Sequence, residues 1–103
     1  MLIVELPKPL DFDWDEWNKN KSLLKHGISS DEAEQIFRNR FKHMVNDRLH
    51  SLAEERFIVL GHTLTGKILV VAFTIRNYRI RVISARSASK KERKWYEEKI
   101  GAS

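Results

Sequence analysis

Hydrophobic positions follow two different periods along this chain, and the change of period divides it. From Arg56 onward the pattern is that of strands. Phe57-Ile58-Val59-Leu60 and Ile68-Leu69-Val70-Val71-Ala72-Phe73 are apolar on both faces, which predicts two central strands. Leu64-Thr65-Gly66 predicts one hairpin turn and Arg76-Asn77 a second, so residues 78–85 complete a three-strand meander. In that last strand Ile80, Val82 and Ser84 share one face, while Arg79 and Arg81 share the other. Before Arg56 the period is helical. Asp15 is the expected N-cap of a first helix in which Trp17, Lys21 and Leu24 recur at helical spacing, and Gly27 ends it. Ser29-x-x-Glu32 is a capping box, with Ile28 and Ala33 placed for a hydrophobic staple and Ala33, Ile36 and Phe37 as the buried stripe. Residues 42–47 predict a short strand, followed by a polar loop through His50 and Ser51. Ser89-x-x-Glu92 opens a closing helix over residues 90–99. Pro7 and Pro9 leave the first residues as an edge strand or an arm. The expected fold is α+β, an antiparallel sheet packed with two N-terminal helices and a C-terminal one. No internal repeat or linker divides it, so residues 1–103 are expected to form a single domain, with 1–11 as an N-terminal extension and 12–99 as its body.

Composition narrows the function classes. With 42% hydrophobic and 32% charged residues among 103, the chain is globular in character rather than disordered. It has no cysteine, which excludes disulfides and thiolate metal sites and fits a reducing cytoplasm. Met1-Leu2-Ile3-Val4-Glu5-Leu6 lacks the basic start of a signal peptide, and no apolar run approaches membrane-spanning length. The net charge of +5 is unevenly placed. Residues 1–20 hold five acids and two bases, whereas residues 76–99 hold nine bases and three acids. An acidic start and a basic end point to an anionic partner for the latter.

The candidate chemistry follows from residue type. The strand-end run Arg79, Arg81, Arg86 with Lys90 and Lys91 behind it is either a solvated basic face or a phosphate-binding one. His26 stands in the last turn of the first helix beside Lys25, where it either compensates the helix dipole or transfers protons. Glu55-Arg56 is either a surface pair or a phosphate clamp with its orienting carboxylate. Trp14, Trp17 and Trp95 fall at helical positions where core packing explains them. Tyr96 is open to core packing or base stacking. His26, His43, His50 and His62 have no metal-ligand spacing, and no nucleotide-binding loop or nucleophile elbow is present. Metal-free RNA cleavage needs a base, an acid and cations around phosphorus. Lys25, His26 and Glu55 supply the first two types, and Arg56, Arg79, Arg81 and Arg86 the third.

Several runs together resemble one family. Phe12-x-Trp14-Asp15, Leu24-Lys25-His26-Gly27-Ile28-Ser29, Glu32-Ala33 and Ile36-Phe37 are similar to the N-terminal half of BrnT toxins. His50-Ser51, Glu54-Glu55-Arg56-Phe57, Gly61, Gly66-x-Ile68-Leu69-Val70-Val71, Arg81-Val82-Ile83-Ser84-Ala85-Arg86 and Ala88-Ser89-x-x-Glu92-Arg93-x-x-Tyr96-Glu97 continue the resemblance, which spans residues 12–98. It implies a RelE-like, cofactor-free ribonuclease toxin of a type II toxin–antitoxin pair, acting on RNA in the bacterial cytoplasm to inhibit translation. Its implied partner is a BrnA-like ribbon-helix-helix antitoxin, with operator DNA reached only through that partner and no membrane involved. Carried onto this chain, the implied catalytic residues are Lys25, His26, Glu55, Arg56 and Arg86, and the basic positions Arg76, Arg79, Arg81, Lys90 and Lys91 are the expected RNA contacts. Where the family often has a glutamate between threonine and arginine, this chain has Thr74-Ile75-Arg76. The alternatives are a non-catalytic nucleic-acid-binding module and an antitoxin-binding module, the latter receiving an acidic segment on Arg79, Arg81 and the lysines that follow.

Overall fold

The first helix shows how the fold departs from a simple amphipathic pattern. The computed structural model describes residues 4–48 and 54–101, so His50 and Ser51 lie outside the described residues. Helix α1 (Glu16–His26) starts at Asp15, whose side chain accepts from the Asn18 amide, and ends at Gly27 with φ 69°. Both ends agree with the sequence prediction. Its faces do not. Asn18 and Ser22 are buried, while Trp17 and Leu24 are 84% and 85% exposed. The reason is what the helix packs against, which is a sheet edge with polar backbone groups and not an apolar surface. Asn18 Nδ2 donates to the Val82 carbonyl at 3.1 Å, and the Ala85 amide donates to Ser22 Oγ at 2.7 Å. A buried polar pair was needed, so the apolar residues went outward.

The edge belongs to β4 (Arg79–Ser87), last in a four-stranded antiparallel sheet of order β1-β2-β3-β4 with β1 (His43–Asn46), β2 (Phe57–His62) and β3 (Ile68–Arg76). As predicted, β2 and β3 are central. Residues 11–13 run beside β4 in parallel, with the Ile80 amide donating to the Asp11 carbonyl and the Asp13 amide to the Ile80 carbonyl, both at 2.8 Å. The N-terminal arm thus closes the start of this edge, and its Val4, Leu6 and Leu10 pack on the core.

Helix α2 (Ser30–Arg38) keeps its predicted capping box and buries Ala33, Ile36 and Phe37 against one sheet face. Gly61 permits that approach, since a Cβ there would lie 3.0 Å from Ile36 Cγ2. Helix α3 (Lys90–Gly101) covers part of the other face through Tyr96 with Leu60, Val70 and Ala88. Its capping box is also as predicted, with Ser89 Oγ accepting from the Glu92 amide at 3.1 Å.

Two local predictions shift. The second hairpin turns on Asn77-Tyr78, both with positive φ (50° and 62°), one residue later than expected. A bulge pairs Ala72 with Ser84 but Phe73 with Val82, leaving Ile83 extra. The core side of β4 therefore passes from Ile80 and Val82 to Ala85, and Ser84 is not on it.

Candidate functional site

The half of the outer sheet face that α3 leaves uncovered carries a cross-strand row. Thr74 on β3 pairs with Arg81 on β4, and Arg56 precedes the Phe57–Phe73 pair, which sets it beside Thr74. Thr74 Oγ1 donates to the Glu55 carbonyl at 2.7 Å and ties the entry of β2 to this row. Between the row and α1 lies a groove of about 720 Å³, lined by Trp17, Lys21 and Leu24 from the helix and by Arg56, Arg76, Arg81, Val82 and Ile83 from the sheet. Three of the predicted arginines thus meet in one place. Trp17, Leu24 and Ile83 were not predicted here, and a wholly apolar i, i+7 pair flanking polar Asn18 and Ser22 was the available signal.

Arg76, Arg79 and Arg81, which line or border this groove, are already matched by carboxylates. Arg76 binds Glu54 through Nε at 2.8 Å and Nη2 at 2.9 Å. Arg81, only 17% exposed, reaches Asp15 at 2.9 Å and Asp13 at 3.6 Å. Arg79 turns to the arm, donating to the Phe12 carbonyl at 2.6 Å and lying 3.4 Å from Asp11. The acidic start and the arginine strand, which the sequence suggested as separate poles, fold onto each other. Asp15 is held below the ordinary carboxylate range first by the Asn18 amide and then by Arg81, and Glu54 chiefly by its bond to Arg76. Glu55, the expected orienting acid, is exposed, and its neighbour Glu54 pairs with Arg76.

At the far end of β4 the charge balance differs. Asn18 and Ser22 track Val82 and then Ala85, so α1 runs parallel to β4 and carries Lys25 and His26 toward the Arg86 end. That end lies about 17 Å along the strand from Arg81 at roughly 3.3 Å per residue. Arg86 there makes a two-pronged bond to Glu92, at 2.7 and 2.8 Å. The pair lowers the Glu92 carboxyl to about 2. Lys90 and Lys91 stand exposed in the first turn of α3, and Lys25 and His26 in the last turn of α1. Among the described residues, Lys25, Lys90 and Lys91 have no ion-pair partner.

The remaining candidates have structural surroundings. Tyr96 is fully buried, and its hydroxyl donates to the Phe41 carbonyl at 3.1 Å and lies 3.2 Å from His62 Nδ1. Asn39 Nδ2 lies 3.2 Å from His62 Nε2, which suits a ring protonated on Nδ1. Burial raises the Tyr96 hydroxyl above its usual range. Trp14 packs beside the core before α1 begins, and Trp95 is partly exposed against His43. Of the three tryptophans, only Trp14 packs on the core, and Trp17 is the most exposed.

Four antiparallel strands framed by three helices, with Lys25, Lys90 and Lys91 exposed, define a small basic α+β protein. Residues 14–92 match the family described as the ribonuclease toxin BrnT of type II toxin–antitoxin systems, and the chain belongs to that family. The fold is similar to the crystal structure of the Brucella abortus ribonuclease toxin BrnT, with a TM-score of 0.59 and 24% identity over 79% of this chain and 99% of that one. No curated protein matches the sequence significantly.

Proposed function

We propose that this chain is a metal-independent endoribonuclease that cuts RNA at the Arg86 end of β4. The observation that carries the reading is that α1 runs along β4, so its last turn with Lys25 and His26 lies toward the strand end that bears Arg86 and leads into the first turn of α3 with Lys90 and Lys91, where Glu92 pairs with Arg86. A phosphodiester is attacked by its own 2′-hydroxyl while the bond to the 5′-oxygen breaks. His26 or Lys25 takes the proton from the attacking oxygen, and the other gives one to the leaving oxygen, which yields a 2′,3′-cyclic phosphate and a 5′-hydroxyl. Arg86, with Glu92 fixing its fork, and the two lysines neutralise charge that develops on phosphorus. Arg56 with Arg76, Arg79 and Arg81 extends the cationic surface along which flanking RNA lies, and Glu55 stands at its entry.

We further take residues 1–103 as one domain, acting in the cytoplasm to inhibit translation and neutralised by a ribbon-helix-helix antitoxin. Expression of the chain alone in bacteria tests the toxin reading: growth should arrest, and normal growth with soluble folded protein would contradict it.

A further inference from the structure

The groove between α1 and β4 is well suited to a protein. Arg76 and Arg81 already face Glu54, Asp13 and Asp15, and Glu16 stands among the lining with Lys21 and Arg56, so four acids meet four bases and its charge is close to balanced. What is left without a partner is apolar. Trp17 and Leu24, seven residues apart, sit on one helix face almost fully exposed, opposite Val82 and Ile83. A large exposed tryptophan beside arginines is the composition of a protein–protein hot spot. The space of about 720 Å³ admits several side chains.

The adjoining strand edge decides the form of the occupant. Backbone groups of Ile80, Val82 and Ala85 are bonded to residues 11–13, Asn18 and Ser22, so a partner cannot add a strand there. A helix laid in the groove needs no free edge.

We infer that this groove is the seat of the antitoxin, which enters as an amphipathic helix bearing large apolar residues at i, i+3 or i+4, and i+7. Its flanks carry both charge signs, the acidic ones exchanging with Glu54 and Asp15 for Arg76 and Arg81. The inference rests on family membership for the existence of an antitoxin, and not on where RNA is cut. Docking here covers the arginine row and leaves the Arg86 end to be blocked only by the bulk of the bound partner.

The test pairs two readouts on one set of variants, Trp17→Ala, Leu24→Asp and the double substitution. The probe is a purified ribbon-helix-helix antitoxin of the BrnA type, and its affinity is measured by calorimetry. RNA cleavage is measured on the same preparations. Both side chains are exposed, so the melting temperature should not move. We expect affinity to fall at least about 30-fold for Trp17→Ala, and further for the double variant, with cleavage within twofold of the parent. Affinity unchanged within threefold, or no binding of the probe to the parent, overturns the inference. Cleavage lost with affinity intact overturns it too and makes the groove an RNA subsite. A parent that binds the probe but does not cut RNA fails the proposed activity and leaves the affinity test readable.

Discussion

Arg86→Ala should destabilise the protein in a manner that depends on pH. The guanidinium meets Glu92 with two short bonds, and the carboxyl is brought from 4.5 to about 2. Taken at face value, a displacement of that size corresponds to roughly 3 kcal/mol at 1.36 kcal/mol per unit. Solvent screening reduces it, because the Arg86 and Glu92 side chains are 43% and 33% exposed. About 1 kcal/mol is the expected remainder, since exposed ion pairs contribute little and this one has two-pronged geometry. Glu92 keeps its capping role toward Ser89 without the arginine, so no buried group is orphaned. A loss of that size lowers the melting temperature by about 4–8 °C in a domain of this length. The sign follows from the direction of the shift. A carboxyl held low in the folded state adds stability above its unfolded value near 4.5, and that stability disappears as pH falls toward 2. Melts of parent and variant should therefore differ fully at neutral pH and converge near pH 2. A double-mutant cycle with Glu92→Gln should return a coupling of about 1 kcal/mol. Coincident melts at pH 7, or a difference independent of pH, would refute the pairing.

Three further outcomes are expected. Gly61→Ala should cost about 1–3 kcal/mol in denaturant unfolding, because its Cβ would press on the fully buried Ile36. Unchanged stability would mean that α2 is not seated closely on β2. Tyr96→Phe should cost about 1–3 kcal/mol by leaving the Phe41 carbonyl and the His62 ring without their shared partner, and a neutral result would remove the network from the account. Cleavage should continue in excess EDTA and fail on RNA methylated at the scissile 2′-oxygen, and the reverse of either would exclude the proposed chemistry.

The elements with local signatures were legible in the sequence. Asp15, Ser29 and Ser89 cap helices through hydrogen bonds within four residues, and Gly27 supplies the left-handed turn that stops α1. The central strands were legible because apolar residues on both faces leave few other placements. What local pattern does not encode is which surface a helix meets. Trp17 and Leu24 fit a buried stripe until α1 is known to cover an edge, where Asn18 and Ser22 are the residues that must be inside. The bulge at Ile83 is also invisible in strand periodicity, because it depends on pairing with β3. The charged candidates divide for a similar reason. Their types were evident, but Arg79 and Arg81 meet acids more than sixty residues earlier, whereas Lys25, Lys90 and Lys91 stand without an ion pair among the described residues.

The central claim is that RNA is cut at the Arg86 end of β4 with Lys25 and His26 moving the protons. The most direct measurement is the single-turnover cleavage rate of a defined single-stranded RNA by purified parent and by Lys25→Ala and His26→Ala variants, with melts alongside. Both side chains are exposed, so folding should be unaffected. Each variant should lose about 10²–10⁴-fold in rate, the usual contribution of a positioned acid or base. Parent-like rates in both variants, with RNA still cut, would contradict the account and place the chemistry elsewhere.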